Sequence, residues 1–515
     1  MSITSFGFLI MILLGMVLYY LLPKSWQWIE LLILSLLFYF WAATPYTIIF
    51  LIISTITAYI ATNYGVFVQQ DKGKRITAVL SLLAVMVNVA LWFVLKGAGL
   101  WRPILGRVWK LISYEGGMWE WSLAAALGMG YYTLQVIGYI LDCYWGNIKP
   151  QKNPFKLFLF VCFFPQMTTG PISRYSQLES LYEKHSFSYK NLSFGTQRIL
   201  WGFLKKLVLA ERVGIIVNGI WGELSVYNGF YRWIALILFP IQMYADFSGS
   251  MDIVIGTAEL FGVRMPENFN SPFFSRTIQE FWQRWHITLG TWAKDYVLYP
   301  LLKSRKMVNF SKSCRKRFGK KTGKFTATAA GMFVLWMVMG VWHGEAKYIA
   351  GVSLWYWALL MLGELCAPRL KKISLLLGIP ENSFSWHFFQ VMRTYLIYAI
   401  GAIFFRAPSL SEGVDFVLSL KQIFVKGESN PWIFFDGSVL ELGITYQDIN
   451  IIIISIFIIL AVGLLREKYG YARNWMSRQM LVFRWLIWVA MFVFVIIYGK
   501  YGPGYAVEEF IYQGF

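Results

Sequence analysis

Between Leu31 and Gln70 the chain runs for forty residues without one Asp, Glu, Lys or Arg. Crossing a hydrocarbon core as a helix takes about 20 apolar residues, so this tract alone predicts two spans. The turn belongs near Pro45, whose ring removes a helix hydrogen-bond donor. Ile3–Leu22 is likewise uncharged. It has no basic residue before it, exceeds a signal-peptide core and lacks a small-residue cleavage site, so it reads as a retained helix.

Further apolar runs predict spans at Ile76–Leu95, Trp121–Leu141, Leu157–Ser173, Trp233–Ile255, Phe325–Gly344, Tyr348–Gly363, Ser385–Phe405, Ile449–Leu465 and Trp485–Gly499. With shorter segments at Leu200–Trp221 and Ile278–Leu302, the expected number is about eleven to thirteen transmembrane or re-entrant helices. Composition agrees: 57% of residues are hydrophobic and 14% charged, against about 25% charged in soluble domains. The chain reads as an all-α integral membrane protein. No internal repeat or long linker divides it, so residues 1–515 form one domain.

A net charge of +20 raises the question of nucleic acid, but the Lys and Arg sit in short loops between apolar runs. That is the positive-inside pattern, with contact to anionic lipid, and no nucleic-acid partner is expected. Lys303 to Lys324 holds ten Lys/Arg and no acid, which places it in the cytoplasm as a basic loop. Counting back puts the N-terminus outside, and Lys96, Arg102, Arg107 and Lys110 then fall on the less favoured side.

Polar groups at membrane depth cost about 2.5–3.5 kcal/mol each, so they gather along cavities and substrate paths. Here they gather between Phe163 and Gly344. Phe163-Phe164-Pro165-Gln166-Met167-Thr168-Thr169-Gly170-Pro171 joins two prolines, a glycine and polar side chains to the end of an apolar run. This reads as a broken or re-entrant helix, tolerated only where it is buried or lines water.

Of four histidines, two are candidates for chemistry. His343 closes the apolar run in Gly340-Val341-Trp342-His343-Gly344, about 28 Å of helix from Lys324. A neutral imidazole there takes a proton from a hydroxyl near its working pH, with Trp342 as a wall and Gly344 leaving room. The same position also suits an interfacial histidine bonded to a carbonyl or water. His286 lies in Glu280-Phe281-Trp282-Gln283-Arg284-Trp285-His286-Ile287-Thr288-Leu289, followed by Trp292 and Asp295. As one helix this would carry Phe281, Trp285, Leu289 and Trp292 on a stripe and lie in the membrane interface. Its basic and polar side would suit a phosphate-bearing donor; an ordinary interfacial helix fits the pattern equally. His185 and His387 receive no role.

Asp246 and Asp252, six residues apart in an apolar stretch, require buried partners such as Arg276 or Arg284. Cys143, Cys162, Cys314 and Cys366 show no disulfide or metal spacing and read as packing residues. Neither candidate histidine has a second ligand at i+3 or i+4, so no metal site is expected. No GxSxG nucleophile signature occurs.

These residues resemble the membrane-bound O-acyltransferase superfamily, in its bacterial branch containing the membrane subunits of alginate O-acetylation and teichoic-acid D-alanylation. The resemblance is carried by Leu127–Gln135 with Gly138-Tyr139, Phe164-Pro165-Gln166 with Gly170-Pro171, Tyr244–Asp252, and Pro266–Asn270 running through Phe281–Leu289 to Asp295-Tyr296. Val341–Gly344 and Phe404–Ala407 complete it, making residues 127–406 the motif-bearing core. It implies a ring-like helix bundle around a central tunnel, a catalytic His343 and a second motif histidine at His286. Trp342, Gln166, Trp285, Arg284 and Asp295 become candidate substrate- and donor-binding residues.

The implied reaction draws an acyl group, acetyl first and D-alanyl second, from a cytoplasmic thioester, acetyl-CoA or an acyl carrier protein. It is delivered to hydroxyls of an extracytoplasmic polysaccharide, with an extracytoplasmic partner acyltransferase able to complete the transfer. The implied location is the bacterial plasma membrane, and no bound cofactor is expected. Thr168-Thr169, Ser250 and Leu302-Lys303 depart from the alginate-branch pattern and bear on donor and acceptor. A channel, transporter or assembly subunit with His343 in a pore is the alternative of another class, though such folds often carry two related halves.

Overall fold

A computed structural model describes residues 2–64, 71–96, 100, 127–424, 432–433 and 436–502. Over these the regular structure is helical, and the one extended pairing is an isolated antiparallel bridge between Phe269 and Trp285. Eight helices among the described residues are long and apolar enough to cross a membrane, accompanied by three shorter apolar ones, Phe6–Leu21, Gln27–Ala42 and Pro154–Gln166. The protein is an all-α integral membrane protein.

The uncharged tract divides where its proline requires. Gln27–Ala42 ends, Pro45–Thr47 makes one tight turn, and Ile48–Asn63 runs on. A 2.6 Å bond between Tyr39 Oη and Thr47 Oγ1 ties the turn to the preceding helix. Pro154–Cys162 likewise stops at Phe163, gives one 3-10 turn over Phe164–Gln166, and then runs without regular structure to Arg174, the broken segment its composition predicts. The span expected at 121–141 is helical over Met129–Trp145. Residues 121–126, with Arg102, Arg107 and Lys110, lie outside the described residues.

The helix Phe230–Leu260 is central, with 78% of its most apolar stretch buried in protein, whereas Leu481–Tyr498 is 6% buried and gives its apolar side chains to lipid. What draws Tyr189–Phe203 against the central helix is a pair of glycines on each, seven residues apart. A Cβ on Gly195 would lie 2.8 Å from the Gly256 carbonyl, and one on Gly202 would lie 2.6 Å from that of Gly249. Small residues at this spacing let backbones touch, the usual source of helix association where lipid removes the hydrophobic drive.

This close approach aligns six charged side chains, Lys205, Lys206 and Asp246 among them buried. Lys206 pairs with Asp246, and Lys205 reaches Asp252 at 2.6 Å and Ser248 Oγ at 2.8 Å. Arg198 binds Asp252 at 2.9 Å and Glu267 at 2.6 Å. The expectation of Arg276 or Arg284 as partners is therefore corrected: the cations come from the neighbouring helix, forty to fifty-four residues away in sequence.

The basic run is corrected as well. It is helical from Arg305, capped by Ser304 Oγ, and belongs to the element ending at Trp342. At Gly319 (φ 80°, ψ 167°) the chain breaks and doubles back, so that a Cβ on Gly323 would lie 2.4 Å from the Arg315 Cα. Lys and Arg are good helix formers, and only the glycine, free to take positive φ, interrupts them.

Candidate active site

His343 caps the C-terminal end of the Arg305–Trp342 helix, its N–H bonded to the Gly340 carbonyl at 3.2 Å. Its buried ring is walled by aromatics: Trp342 at 4.9 Å between centroids, Phe405 at 5.1 Å and Tyr348 at 5.2 Å. Trp342 is fixed in turn, its indole N–H donating to the Gly130 carbonyl at 3.0 Å. Gly130 lies in the first turn of the Met129–Trp145 helix after Gly128, where a φ of 73° and a Cβ position 1.9 Å from the Met167 carbonyl oxygen exclude any side chain. The start of that helix, the broken segment and the end of the histidine helix thus meet at one place.

The structure overturns the single amphipathic helix expected around His286. Ile278–Arg284 ends, Trp285 is extended, His286 stands in the left-handed region at φ 46° and ψ 52°, and Ile287–Ala293 starts a new helix. The cause is the upstream segment Asn268–Asn270. The Asn270 N–H donates to the Arg284 carbonyl at 2.9 Å, the Ile287 N–H to the Asn268 carbonyl at 3.0 Å, and Phe269 bridges Trp285. Holding a non-glycine residue at such a φ costs about 1–3 kcal/mol and persists where the surroundings over-determine it.

Asn268 supplies that surrounding. Its Oδ1 accepts from the Thr288 N–H at 3.1 Å and from Thr288 Oγ1 at 2.8 Å, so it is the carbonyl end of the amide. His286 Nδ1, 3.2 Å from the same oxygen, must then carry the proton. This leaves Nε2 as the bare acceptor nitrogen, buried and without a hydrogen-bond partner among the described residues. The His286 ring lies 6.2 Å from Trp342, so both imidazoles flank one indole. Thr288 Oγ1 also accepts the Ile172 N–H at 3.1 Å, tying this loop to the broken segment.

The other expected site residues separate into three groups. Gln166 is buried in the broken segment, its amide donating to the Phe160 carbonyl at 3.1 Å, with Oε1 unpartnered among the described residues. Trp285 is packed into an aromatic cluster with Phe269, Phe281 and Tyr398, and Arg284 is tied to Glu280 and Glu467. Asp295 lies elsewhere, paired with Arg174 in a cleft of about 620 Å³ that Asp142, Tyr296 and Lys303 also line. Tyr296 donates to Asp142 at 2.6 Å, and the Arg174 guanidinium lies 5.8 Å from its ring centre.

Two helices measure the distance from this cleft to the histidines. Gly130 against Trp342 and Asp142 in the cleft are twelve residues apart on the Met129–Trp145 helix, about 18 Å at 1.5 Å per residue. Gly331, where Leu298 and Leu302 at the cleft's edge pack within 3.2 Å of a Cβ position, is twelve residues before His343. That is again about 18 Å.

Comparison with known proteins identifies the family. The profile of MBOAT, the membrane-bound O-acyltransferase family, matches residues 35–404. The chain belongs to this family. The acyltransferase is 28% identical over 400 residues to the probable alginate O-acetylase AlgI of Pseudomonas aeruginosa, covering 76% of this chain and 69% of that one. It is 27% identical over 372 residues to the peptidoglycan O-acetyltransferase of Helicobacter pylori, covering 66% and 63% respectively. A teichoic acid D-alanyltransferase of Bacillus subtilis is 29% identical over 259 residues, covering 48% of this chain and 61% of its own length.

Several residues that shape this candidate site were not singled out by sequence. Asn268 lies inside a motif block, but its control over a histidine eighteen residues on is invisible without the fold. Tyr348, Phe405, Arg174 and Lys96 come from four separate segments. Phe405 alone carried a signal, as part of the Phe404–Ala407 string. Among the described residues no cluster of His, Cys, Asp or Glu could hold a metal ion, and Cys143, Cys162, Cys314 and Cys366 are unpaired thiols.

Proposed function

We propose that this O-acyltransferase moves an acetyl group from a thioester donor on the cytoplasmic face of a bacterial plasma membrane to hydroxyls of an extracytoplasmic polysaccharide. The observation that carries the reading is the separation of about 18 Å between the Arg174–Asp295 cleft and the Trp342–His343 wall. The cleft adjoins the basic segment that the positive-inside rule assigns to the cytoplasm, and an extended pantetheine arm is of that length. Phosphates held at Arg174 and Lys303 would leave the thioester beside His343.

In this reading the His343 imidazole takes the proton of the acceptor hydroxyl as its oxygen attacks the thioester carbonyl. The tetrahedral intermediate collapses, the carbon–sulfur bond breaks, and the thiolate leaves with the proton returned from His343. General-base action of this kind contributes about 10²–10⁴ in rate. His286, with Nε2 bare, accepts an N–H of the donor arm and fixes its depth. An extracytoplasmic partner enzyme could carry the acyl group on to the polymer.

The acetyl reading rests on the two O-acetyl-transferring relatives, which cover 76% and 66% of the chain. The 29% identity to a D-alanyltransferase over 48% of the chain supports D-alanyl transfer from a carrier protein as the second reading. Mass spectrometry of alkali-released acyl groups from the surface polymers of a deletion strain, with and without the complementing gene, decides between them. Acetate restored by the gene supports the first reading, and D-alanine replaces it with the second.

A further inference from the structure

The helix Arg75–Leu95 ends against the active site and delivers one cation there. Lys96, whose N–H bonds the Trp92 carbonyl at 2.8 Å, follows its last turn. The Lys96 carbonyl oxygen lies 2.9 Å from the position a Cβ would take on Gly344, the residue after His343. Its side chain then runs to Gly130: a Cβ there would meet Trp342 Cζ2 at 3.5 Å and Lys96 Cε at 3.6 Å. The end of the lysine and the edge of the indole that both histidines flank therefore meet at Gly130, where the Met129–Trp145 helix begins.

Among the described residues the Lys96 ammonium has no ion pair and no side-chain hydrogen bond. This contrasts with Lys205 and Lys206, the other deeply placed lysines, each of which is bonded to a carboxylate. A cation held in an apolar, aromatic-walled place without a counter-ion is costly. It becomes favourable when negative charge develops beside it, the condition met by a tetrahedral acyl-transfer intermediate, whose carbonyl oxygen becomes an oxyanion.

We propose that Lys96 is a further catalytic residue, its ammonium binding the oxyanion formed when the acceptor hydroxyl attacks the thioester at His343. This rests on the acyl-transfer reading above. The hydroxyl proton goes to His343 and the carbonyl electron pair moves onto oxygen beside Lys96; the pair then re-forms the C=O bond as the carbon–sulfur bond breaks, and His343 gives its proton to the departing thiolate. Lys96 keeps its proton throughout. The Lys96 carbonyl 2.9 Å from the Cβ position of Gly344, with φ at 89°, also explains why that position has no room for a side chain.

The experiment is acylation of surface polymer in a deletion strain carrying wild type, His343→Ala, Lys96→Met or Lys96→Arg, normalised to folded protein in the membrane. Released acyl groups are identified whatever their nature, so a failure of the acetyl reading shows as a different acid and leaves the lysine test intact. Lys96→Met is expected to lower the rate about 10²–10³-fold, as loss of an oxyanion donor does, while Lys96→Arg keeps at least a tenth of the activity. In membrane vesicles the arginine variant should carry its activity to higher pH, because a guanidinium does not deprotonate there. Wild-type rates in Lys96→Met overturn the proposal, and so does an arginine variant as inactive as the methionine one. Should Lys96→Met not accumulate, an arginine variant with an unshifted alkaline limb overturns it alone.

Discussion

Asn268 Oδ1 stands 3.2 Å from His286 Nδ1, and this contact decides which nitrogen of the imidazole is available to a substrate. Because the oxygen already accepts the Thr288 N–H, it cannot exchange roles with the amide nitrogen, and His286 presents Nε2 as an acceptor. Asn268→Ala removes the acceptor for three donors at once. Each buried donor left unsatisfied costs about 1–3 kcal/mol, so the variant should melt earlier and transfer acyl groups at under a tenth of the wild-type rate. Thermal unfolding in detergent and the transfer rate together check this; wild-type values for both would sever Asn268 from the site.

Gly344 follows His343 at φ 89° with the Lys96 carbonyl 2.9 Å from its Cβ position. Gly344→Ala should therefore displace the histidine and reduce transfer at least tenfold. Gly363, inside the helix Ala346–Leu376, has open space at its Cβ position. Gly363→Ala should leave activity unchanged and raise stability by up to about 1 kcal/mol, which differential scanning measurements on the pair would register.

Lys206 and Asp246 are buried together between two helices joined through glycines. Asp246→Ala removes the nearer of two carboxylates facing Lys206, leaving Glu211 at 3.9 Å, so the change should cost up to about 3–5 kcal/mol. The double change Lys206→Met with Asp246→Leu should recover most of that loss. A double variant no more stable than Asp246→Ala would show that the charges do more than satisfy each other.

Much of this fold was legible in the sequence. Charge-free length gave the spans, Pro45 the turn between two of them, and Pro165 with Gly170-Pro171 the broken segment, because each is a local consequence of backbone chemistry. His343 stood out as a polar residue ending an apolar run. What stayed hidden depends on residues distant along the chain. The break at Trp285–His286 is imposed by Asn268, and the partners of Asp246 and Asp252 are set by glycine packing against Tyr189–Phe203. Lys96 read as a topological charge because only the fold brings it to Gly130 and Gly344. The helicity of Lys303–Lys324 was masked by its charge, which marks a side of the membrane and not a loop.

Arg174 pairs with Asp295 in the cleft about 18 Å from the histidines. A charge-assisted bond to a donor phosphate contributes about 1.5–3 kcal/mol. Arg174→Gln should therefore raise KM for the thioester donor about tenfold or more and leave kcat within a factor of about three. Steady-state kinetics against donor concentration test this; a fall in kcat at constant KM would move Arg174 from donor binding to chemistry.

The central claim is that His343 takes the proton in acyl transfer. Its most direct test is the amount of ester-linked acyl group on surface polymer when His343→Ala replaces wild type at equal membrane abundance and equal melting temperature. The account predicts a loss of at least about 100-fold with the protein intact. Esterification at the wild-type level would contradict it and return His343 to the lining of a passage.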